Sequence, residues 1–316
     1  MMAPMRILVT GALGQIGSEL IPSLQARWGE TSIVATDLRQ PKEFQGLFEP
    51  LDATDPRRLL ELVNRYRIQA IYHLAALLSA TAEAQPQRAW EVNMGSLYAV
   101  LEVARIRQLQ VFFPSSIGAF GPTTPKERTP QDTLQRPTTI YGVTKVAGEL
   151  LCDYYHLRFG VDSRGLRFPG LISSRGLPGG GTTDYAVEMF YAALREGRYT
   201  CFLRPDTRLE MMYMPDALRA IQELMEAPAE RLIHRNAFNV GAMSFTPAEL
   251  AAEIQKHLPH FTVDYAVDPI RQAIAESWPR SLDDQAAREE WGWRPQYDLT
   301  QTVTSMLEEL RPRLLG

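Results

Sequence analysis

The chain is short of cysteine, of long apolar runs and of charge of one sign, and each shortage removes a class of function. Only Cys152 and Cys201 occur in 316 residues. Two thiols cannot staple a disulfide framework or by themselves complete a four-ligand metal site, so no metal and a reducing, cytoplasmic setting are expected. No stretch reaches the roughly 18 consecutive apolar residues of a membrane span, and Ile7–Thr10 runs straight into glycines, with no longer hydrophobic region. That run reads as a buried strand, with neither secretion nor membrane insertion. The 33 basic and 37 acidic residues are interspersed for a formal net charge of -4, leaving no electrostatic footprint for nucleic acid. No internal repeat or low-complexity tract is visible, and a small-molecule partner is expected.

What is present is an alternation of short β-branched apolar runs with amphipathic stretches from residue 5 to about 170, the signature of a parallel sheet covered on both faces. Strands are expected at Met5–Thr10, Ser32–Asp37, Gly46–Leu51, Ala70–Leu74, Gln110–Ser115 and Asp162–Phe168. Helices are expected at 15–27, 56–66, 88–107 and 141–158. The fold class is α/β, a doubly wound parallel Rossmann sheet with a smaller C-terminal substrate lobe. Residues 1–170 with about 211–241 are assigned to the first domain, and about 171–210 with 242–316 to the second.

The first strand ends in TGALGQIG, which spaces Gly11, Gly14 and Gly17 three apart before a helix that opens on Gln15 and Ile16. Glycines there let backbone N–H groups approach a pyrophosphate at the positive end of a helix, although glycine-rich turns after strands are also common without a ligand. Twenty residues after Gly17 stands Asp37, at the end of the second strand, where a carboxylate can accept both adenosine ribose hydroxyls and repel a 2′-phosphate. NAD is therefore expected over NADP, with Arg39 pulling the other way. Asp52, after the third strand, is placed either to meet the adenine amino group or to start the next helix.

The segment YGVTKVAGE puts Tyr141 and Lys145 four apart on one helical face. A phenol with a pKa near about 10 is a poor base at neutral pH. A neighbouring ammonium and a nicotinamide cation favour the phenolate and make proton transfer accessible. Upstream, FFPSSIGAFG places Ser115 and Ser116 at the carboxyl end of the fifth strand, where ligands sit in open α/β sheets. Ser116 is preferred as the hydroxyl that donates to a substrate oxygen beside the tyrosine, with Ser115 left to face the cofactor.

With HLAA at 73–76 and Asn93, these motifs together resemble the extended short-chain dehydrogenase/reductase superfamily from Arg6 to Phe168. The resemblance implies Ser116, Tyr141 and Lys145 as the catalytic set. It also implies that Leu74, Ala75 and Ala76 line the cofactor by backbone, that Asn93 belongs to the same site, and that Phe168 to Leu171 meets the nicotinamide carboxamide. His73 is not expected to act as an acid or base. A two-fold dimer through the helices at 88–107 and 141–158 is usual there, and these helices carry apolar residues on more than one side, Leu97, Val100, Leu101, Val103 and Ala104 in the first and Leu150, Leu151 and Tyr154 in the second, so that one face packs on the sheet and another is left to bury.

Further on, the PGGGTTDYA segment at 178–186, the MMY stretch at 211–213 and HLAALLSATAE at 73–83 are similar to the short-chain type of L-threonine 3-dehydrogenase. That subgroup implies L-threonine as substrate, 2-amino-3-oxobutyrate as product and NAD as hydride acceptor. The residues agree, since a nucleotide diphosphate would ask for basic and aromatic groups where this loop offers small residues and hydroxyls. Ser79, Thr182 and Thr183 can bond the head group of a small zwitterion, although either threonine can instead cap the helix at Tyr185. Asp184 reads as a cap, and Met211, Met212 and Met214 as packing residues. A nucleotide-sugar epimerase or dehydratase, or a non-catalytic NAD-binding protein, would share the motifs up to Phe168.

Overall fold

Strands buried on both faces need helices on both faces, and the computed structural model, which describes residues 5–176, 179 and 181–315, meets that need in its first part. In chain order the elements there are β1 (Ile7–Thr10), α1 (Gln15–Trp28), β2 (Ile33–Asp37), β3 (Leu47–Pro50), α2 (Pro56–Tyr66) and β4 (Ala70–His73). They continue with α3 (Ser79–Ala84), α4 (Pro86–Arg107), β5 (Gln110–Ser116), α5 (Ile140–Phe159) and β6 (Asp162–Phe168). After these come β7 (Gly170–Ile172), α6 (Tyr185–Arg195), β8 (Arg198–Cys201), β9 (Leu209–Tyr213), α7 (Met214–Glu226) and β10 (Phe238–Asn239). The chain closes with β11 (Met243–Phe245), α8 (Pro247–His257), β12 (Thr262–Tyr265), α9 (Pro269–Ser277), α10 (Gln285–Glu290) and α11 (Leu299–Leu315). Residues 177, 178 and 180 of the proline-glycine segment lie outside the described residues.

Two units divide the chain. The first comprises 1–119, 139–167 and 220–238, and the second 120–138, 168–219 and 239–316. A seven-stranded sheet has the order β10-β6-β5-β4-β1-β2-β3, with β1 parallel to both β2 and β4. The order reverses between β1 and β4, and the carboxyl ends of those strands open the crevice where doubly wound sheets take ligands. Leu8, Val34, Ile71 and Val111 from the strands pack with Leu59, Leu62, Leu97, Val100, Leu101 and Ala104 from α2 and α4 in one buried cluster. Local chemistry sets the helix bounds. The Asp55 carboxylate accepts from Arg57 N (2.9 Å) and Arg58 N (3.2 Å) ahead of Pro56 to start α2. Thr139 accepts from Gly142 N at 3.1 Å, and Gly160 at φ +70° ends α5. That cap puts Tyr141 in the first turn of α5.

In the second unit a three-stranded sheet runs β11-β9-β7, with Met211 of β9 opposite Gly170 on one side and Met243 on the other. Met211, Met212 and Met214 are fully buried, as packing residues should be. Helices α6, α8 and α11 pack on one another, and β8 pairs with β12 as a separate two-stranded ribbon. Trp293 is buried and donates its Nε1–H to the Gly241 carbonyl at 3.1 Å.

The polar segment around 79–87 contains a helical turn and a half, α3, and α4 begins at Pro86, which occupies the first-turn position that needs no N–H donor. Leu97, Val100, Leu101, Val103 and Ala104 all lie inside the core, and the large apolar residues that α4 and α5 leave exposed are Trp90, Tyr98, Ile106, Val143, Leu150, Tyr154, Leu157 and Phe159. Among the described residues no helix is long and apolar enough to cross a membrane.

Candidate active site

In the first unit the turn after β1 is fixed by close approach. Gly11 has φ +65°, and a Cβ on it would stand 2.7 Å from Ala75 N, while a Cβ on Gly17 would stand 2.6 Å from the Gly11 carbonyl oxygen. No side chain with a Cβ fits either place, so β1, α1 and the end of β4 meet through backbone. Gly14 is the N-cap of α1 and supplies no side-chain acceptor; the first turn, with Gln15 and Ile16, holds no acidic residue. An uncapped helix start beside a glycine cradle has the donor set that a phosphate requires. The Asp37 carboxylate closes the turn by accepting from Leu13 N (3.1 Å) and Leu38 N (2.8 Å), which places it beside the same loop at the end of β2. These features fit a dinucleotide. Asp52 accepts from Thr54 N (2.9 Å) and Thr54 Oγ1 (2.7 Å) through Oδ1, a turn that leads into α2.

Beyond β4, Leu74 N donates to the Thr10 carbonyl at 3.1 Å and Ala75 N to Thr10 Oγ1 at 3.3 Å. His73 is buried, bonded to Thr10 Oγ1 through Nδ1 (2.9 Å) and to Ser96 Oγ through Nε2 (3.2 Å). Burial, with the Lys145 charge adding to it, brings the imidazole down to about 3, so it is neutral at physiological pH. Asn93 clamps the Leu77 backbone, accepting from its N–H (2.7 Å) and donating to its carbonyl (3.1 Å). Its side chain therefore holds the strand end in place. A cavity of about 10 Å³ is lined by Ala75, Ala76, Asn93, Thr144 and Lys145, among others. Ser79 is partly exposed at the start of α3.

At the end of β5 successive side chains point opposite ways. Ser116 Oγ accepts from Gly118 N at 3.1 Å and lies beside Tyr141, whose ring would stand 3.2 Å from a Cβ on Gly118. Ser115 turns the other way along the strand and spends its O–H on the buried Glu149 carboxylate, which leaves only its acceptor lone pairs for the cofactor it was expected to face. Lys145 is 5 % exposed, donates to the Pro114 carbonyl at 2.6 Å and lies 5.3 Å from the Tyr141 ring centroid. Burial pushes the Tyr141 phenol up to about 12, opposed by the Ser116 hydroxyl. Burial also brings the Lys145 ammonium down to about 8, opposed by Glu149 and Cys152. The protein alone thus keeps the phenol protonated, and the site needs a further positive charge to make it a base at neutral pH.

The second unit holds Phe168, buried, and Leu171, opposite Met212 in the β7–β9 pair. Asp184 is the N-cap of α6, and its carboxylate accepts from Gly181 N. Neither Thr182 nor Thr183 caps that helix, and among the described residues neither hydroxyl has a hydrogen-bond partner. The Thr183 methyl is used in packing, since a Cβ on Gly170 would stand 2.7 Å from it. Sequence reasoning passed over Thr10, Glu149 and Arg167. Thr10 could have been found as a hydroxyl at the last position of the first strand, but nothing in the pattern marked the other two as partners.

The family model described as NAD dependent epimerase/dehydratase family matches residues 7–241. An uncharacterized epimerase/dehydratase of Staphylococcus haemolyticus is 53% identical over 312 residues, 98% of each chain. The crystal structure of L-threonine dehydrogenase from Clostridium difficile superposes with a TM-score of 0.97 at 53% identity, covering 99% of both chains. A monomeric L-threonine 3-dehydrogenase from a metagenome superposes with a TM-score of 0.94 at 47% identity, covering 98% of this chain and 99% of that one.

Proposed function

The chain belongs to the NAD dependent epimerase/dehydratase family, and from that premise we propose that it oxidises L-threonine at the 3-hydroxyl to 2-amino-3-oxobutyrate. The observation that carries the substrate is the likeness, over 99% of both chains, to the L-threonine dehydrogenase of Clostridium difficile. The local chemistry supports it: small residues at 181–183, and threonine hydroxyls with no partner among the described residues, suit a compact zwitterion better than a nucleotide sugar.

In this reading the pyrophosphate lies on the turn of Gly11, Gly14, Gln15, Ile16 and Gly17, with the adenosine ribose at Asp37 and the adenine near Asp52. Leu74, Ala75, Ala76, Lys145, Phe168 and Leu171 line the rest, while Asn93 acts by holding the backbone at Leu77. Bound NAD supplies the hydride acceptor and, in its oxidised form, the positive charge that the buried phenol lacks. Tyr141 takes the proton of the substrate hydroxyl, and Ser116 donates to the same oxygen and keeps it in line with the phenol. Lys145, anchored on the Pro114 carbonyl, keeps a positive charge beside the Tyr141 ring and passes the proton outward. Ser79, Thr182 and Thr183 hold the amino-acid head group.

The test is NADH formation at 340 nm, a wavelength at which only the reduced cofactor absorbs, with L-threonine, other 3-hydroxy amino acids and sugar nucleotides as substrates. Threonine-dependent NADH is the expected result. Consumption of a sugar nucleotide without net NADH would replace this reading by epimerase chemistry. We further infer a two-fold dimer through α4 and α5, whose exposed Tyr98, Ile106, Leu150, Tyr154 and Leu157 form an apolar face. Sedimentation of a single 35.7 kDa species at micromolar concentration would refute that pairing.

A further inference from the structure

We propose that Glu149 is a positioning residue for the proton-transfer pair, locking the end of β5 to α5 and holding the positive charge on Lys145. The inference rests on the reading of Tyr141 and Lys145 given above, and it comes from a buried network that the reaction itself does not use. Glu149 lies one helical turn after Lys145 on α5 and is 3% exposed. Its carboxylate accepts from the Ser115 hydroxyl and takes a two-pronged ion pair from Arg167 of β6, at 3.0 Å from Nε and 2.8 Å from Nη2. Gly148 makes this reach possible, because a Cβ there would stand 2.4 Å from the Phe113 ring, so α5 and β5 are in close approach at this level.

Ser115 lies between the two residues on which the proposed chemistry depends. Pro114 offers the carbonyl that anchors Lys145 Nζ, and Ser116 touches Tyr141. A bond from Ser115 to α5 therefore fixes the strand end and the helix face as one piece. The electrostatic part follows from what faces Lys145. His73 of β4 is neutral, Phe113 and Pro114 of β5 carry no charge, and on α5 the neighbours are Tyr141, Cys152 and Glu149. Arg167 is paired with Glu149, and Asp153 interacts with both. Of these groups Glu149 is the carboxylate on α5 that is bonded to the end of β5 and to β6, and it opposes the loss of the Lys145 proton that burial favours.

The chain has four lysines, Lys42, Lys126, Lys145 and Lys256, so the side-chain NMR signals of labelled lysine can be assigned by single substitutions and titrated in the ligand-free protein. Glu149→Gln keeps an acceptor for Ser115 but removes the charge, and its Lys145 titration midpoint should fall by about one pH unit, a tenfold weaker hold on the proton. Glu149→Asp should keep the midpoint near that of the parent chain. Because Glu149→Gln leaves Arg167 without its carboxylate, and the unpaired Arg167 charge would itself lower the midpoint, a chain carrying Glu149→Gln with Arg167→Met is measured beside it and should show a smaller displacement in the same direction. In turnover, the high-pH limb of kcat should move down in parallel, and Ser115→Ala should lower kcat several-fold with KM unchanged while leaving the lysine titration in place. A folded charge-free chain whose Lys145 midpoint matches the parent overturns the proposal, as does failure of both charge-free chains to fold, which would make the carboxylate a structural tie alone. The titration needs no substrate, so inactivity toward threonine would sink the substrate reading and leave this result standing.

Discussion

The polar side chains around β1, β4, β5 and α5 are already bonded within the protein, whereas those of the 181–184 loop are only partly so. In the first unit Thr10, His73, Asn93, Ser115, Ser116 and Lys145 each have named partners. In the second, the Thr182 and Thr183 hydroxyls have none among the described residues, and Asp184 turns back on Gly181. The contrast separates two tasks. Proton transfer depends on positions held to fractions of an ångström, so its groups are locked before any ligand arrives. Recognition of a small head group can leave donors open until the ligand completes them, and here one of the two hydroxyl residues, Thr182, is buried while the other, Thr183, is partly exposed.

The comparison is broken most directly at its rigid side. Tyr141→Phe removes one oxygen from a ring held in the first turn of α5, and turnover should fall by about 10²- to 10⁴-fold. The dissociation constant for NAD should stay close to that of the parent, because the phosphate turn and Asp37 are untouched. A variant that keeps most of its activity would show that some other group takes the proton.

The open side should respond less. Thr182→Val and Thr183→Val keep size and branching but remove the hydroxyl. If one of them bonds a charged group of threonine, about 1.5–3 kcal/mol of binding is lost. That is roughly a tenfold to hundredfold fall in kcat/KM, with NAD affinity unchanged. Since neither residue caps α6, stability should also stay level, which separates this outcome from damage to the fold. Unaltered threonine kinetics in both variants would remove the loop from the site.

The same division decides how much could be read in advance. Elements with strong local signals came out at their expected bounds: α2 behind Asp55 and Pro56, and β6 as a run buried over most of its length. The glycine turn and the Tyr141–Lys145 face were legible because backbone space and helical period dictate them. The short strands β7, β8, β9, β11 and β12 were not, since three to five residues give too little alternation to count; β9, LEMMY, is buried at every position. Nor could spacing show that residues 120–138 join the second unit, or that Ser115 reaches Glu149, because both rest on contacts distant in sequence. The choice between Ser115 and Ser116 was half-legible: strand alternation requires them to face opposite ways, but only the packing of α5 says which faces Tyr141.

The smallest effect expected sharpens the rigid side through acid stability. His73 is buried between Thr10 and Ser96, and burial with the Lys145 charge brings it down to about 3, below the value of about 6.5 for a free imidazole. Between those two values the unfolded chain binds a proton that the native chain refuses. Stability from this site is therefore present in full above about pH 6.5 and is lost as pH falls through the window toward 3. Each unit below about 6.5 should remove roughly 1.4 kcal/mol, a tenfold change in the folding equilibrium. Other carboxylates protonate at the acid end, so the informative range is about pH 5.5–7, read by urea denaturation midpoints. His73→Gln retains a donor and an acceptor for the two hydroxyls but cannot titrate. Its midpoint should be flatter with pH than that of the parent over that range, whatever its absolute stability at neutral pH. Parallel pH dependence in the two chains would mean that the native site admits the proton, and that the bonded network around β4 is less closed than its hydrogen bonds imply.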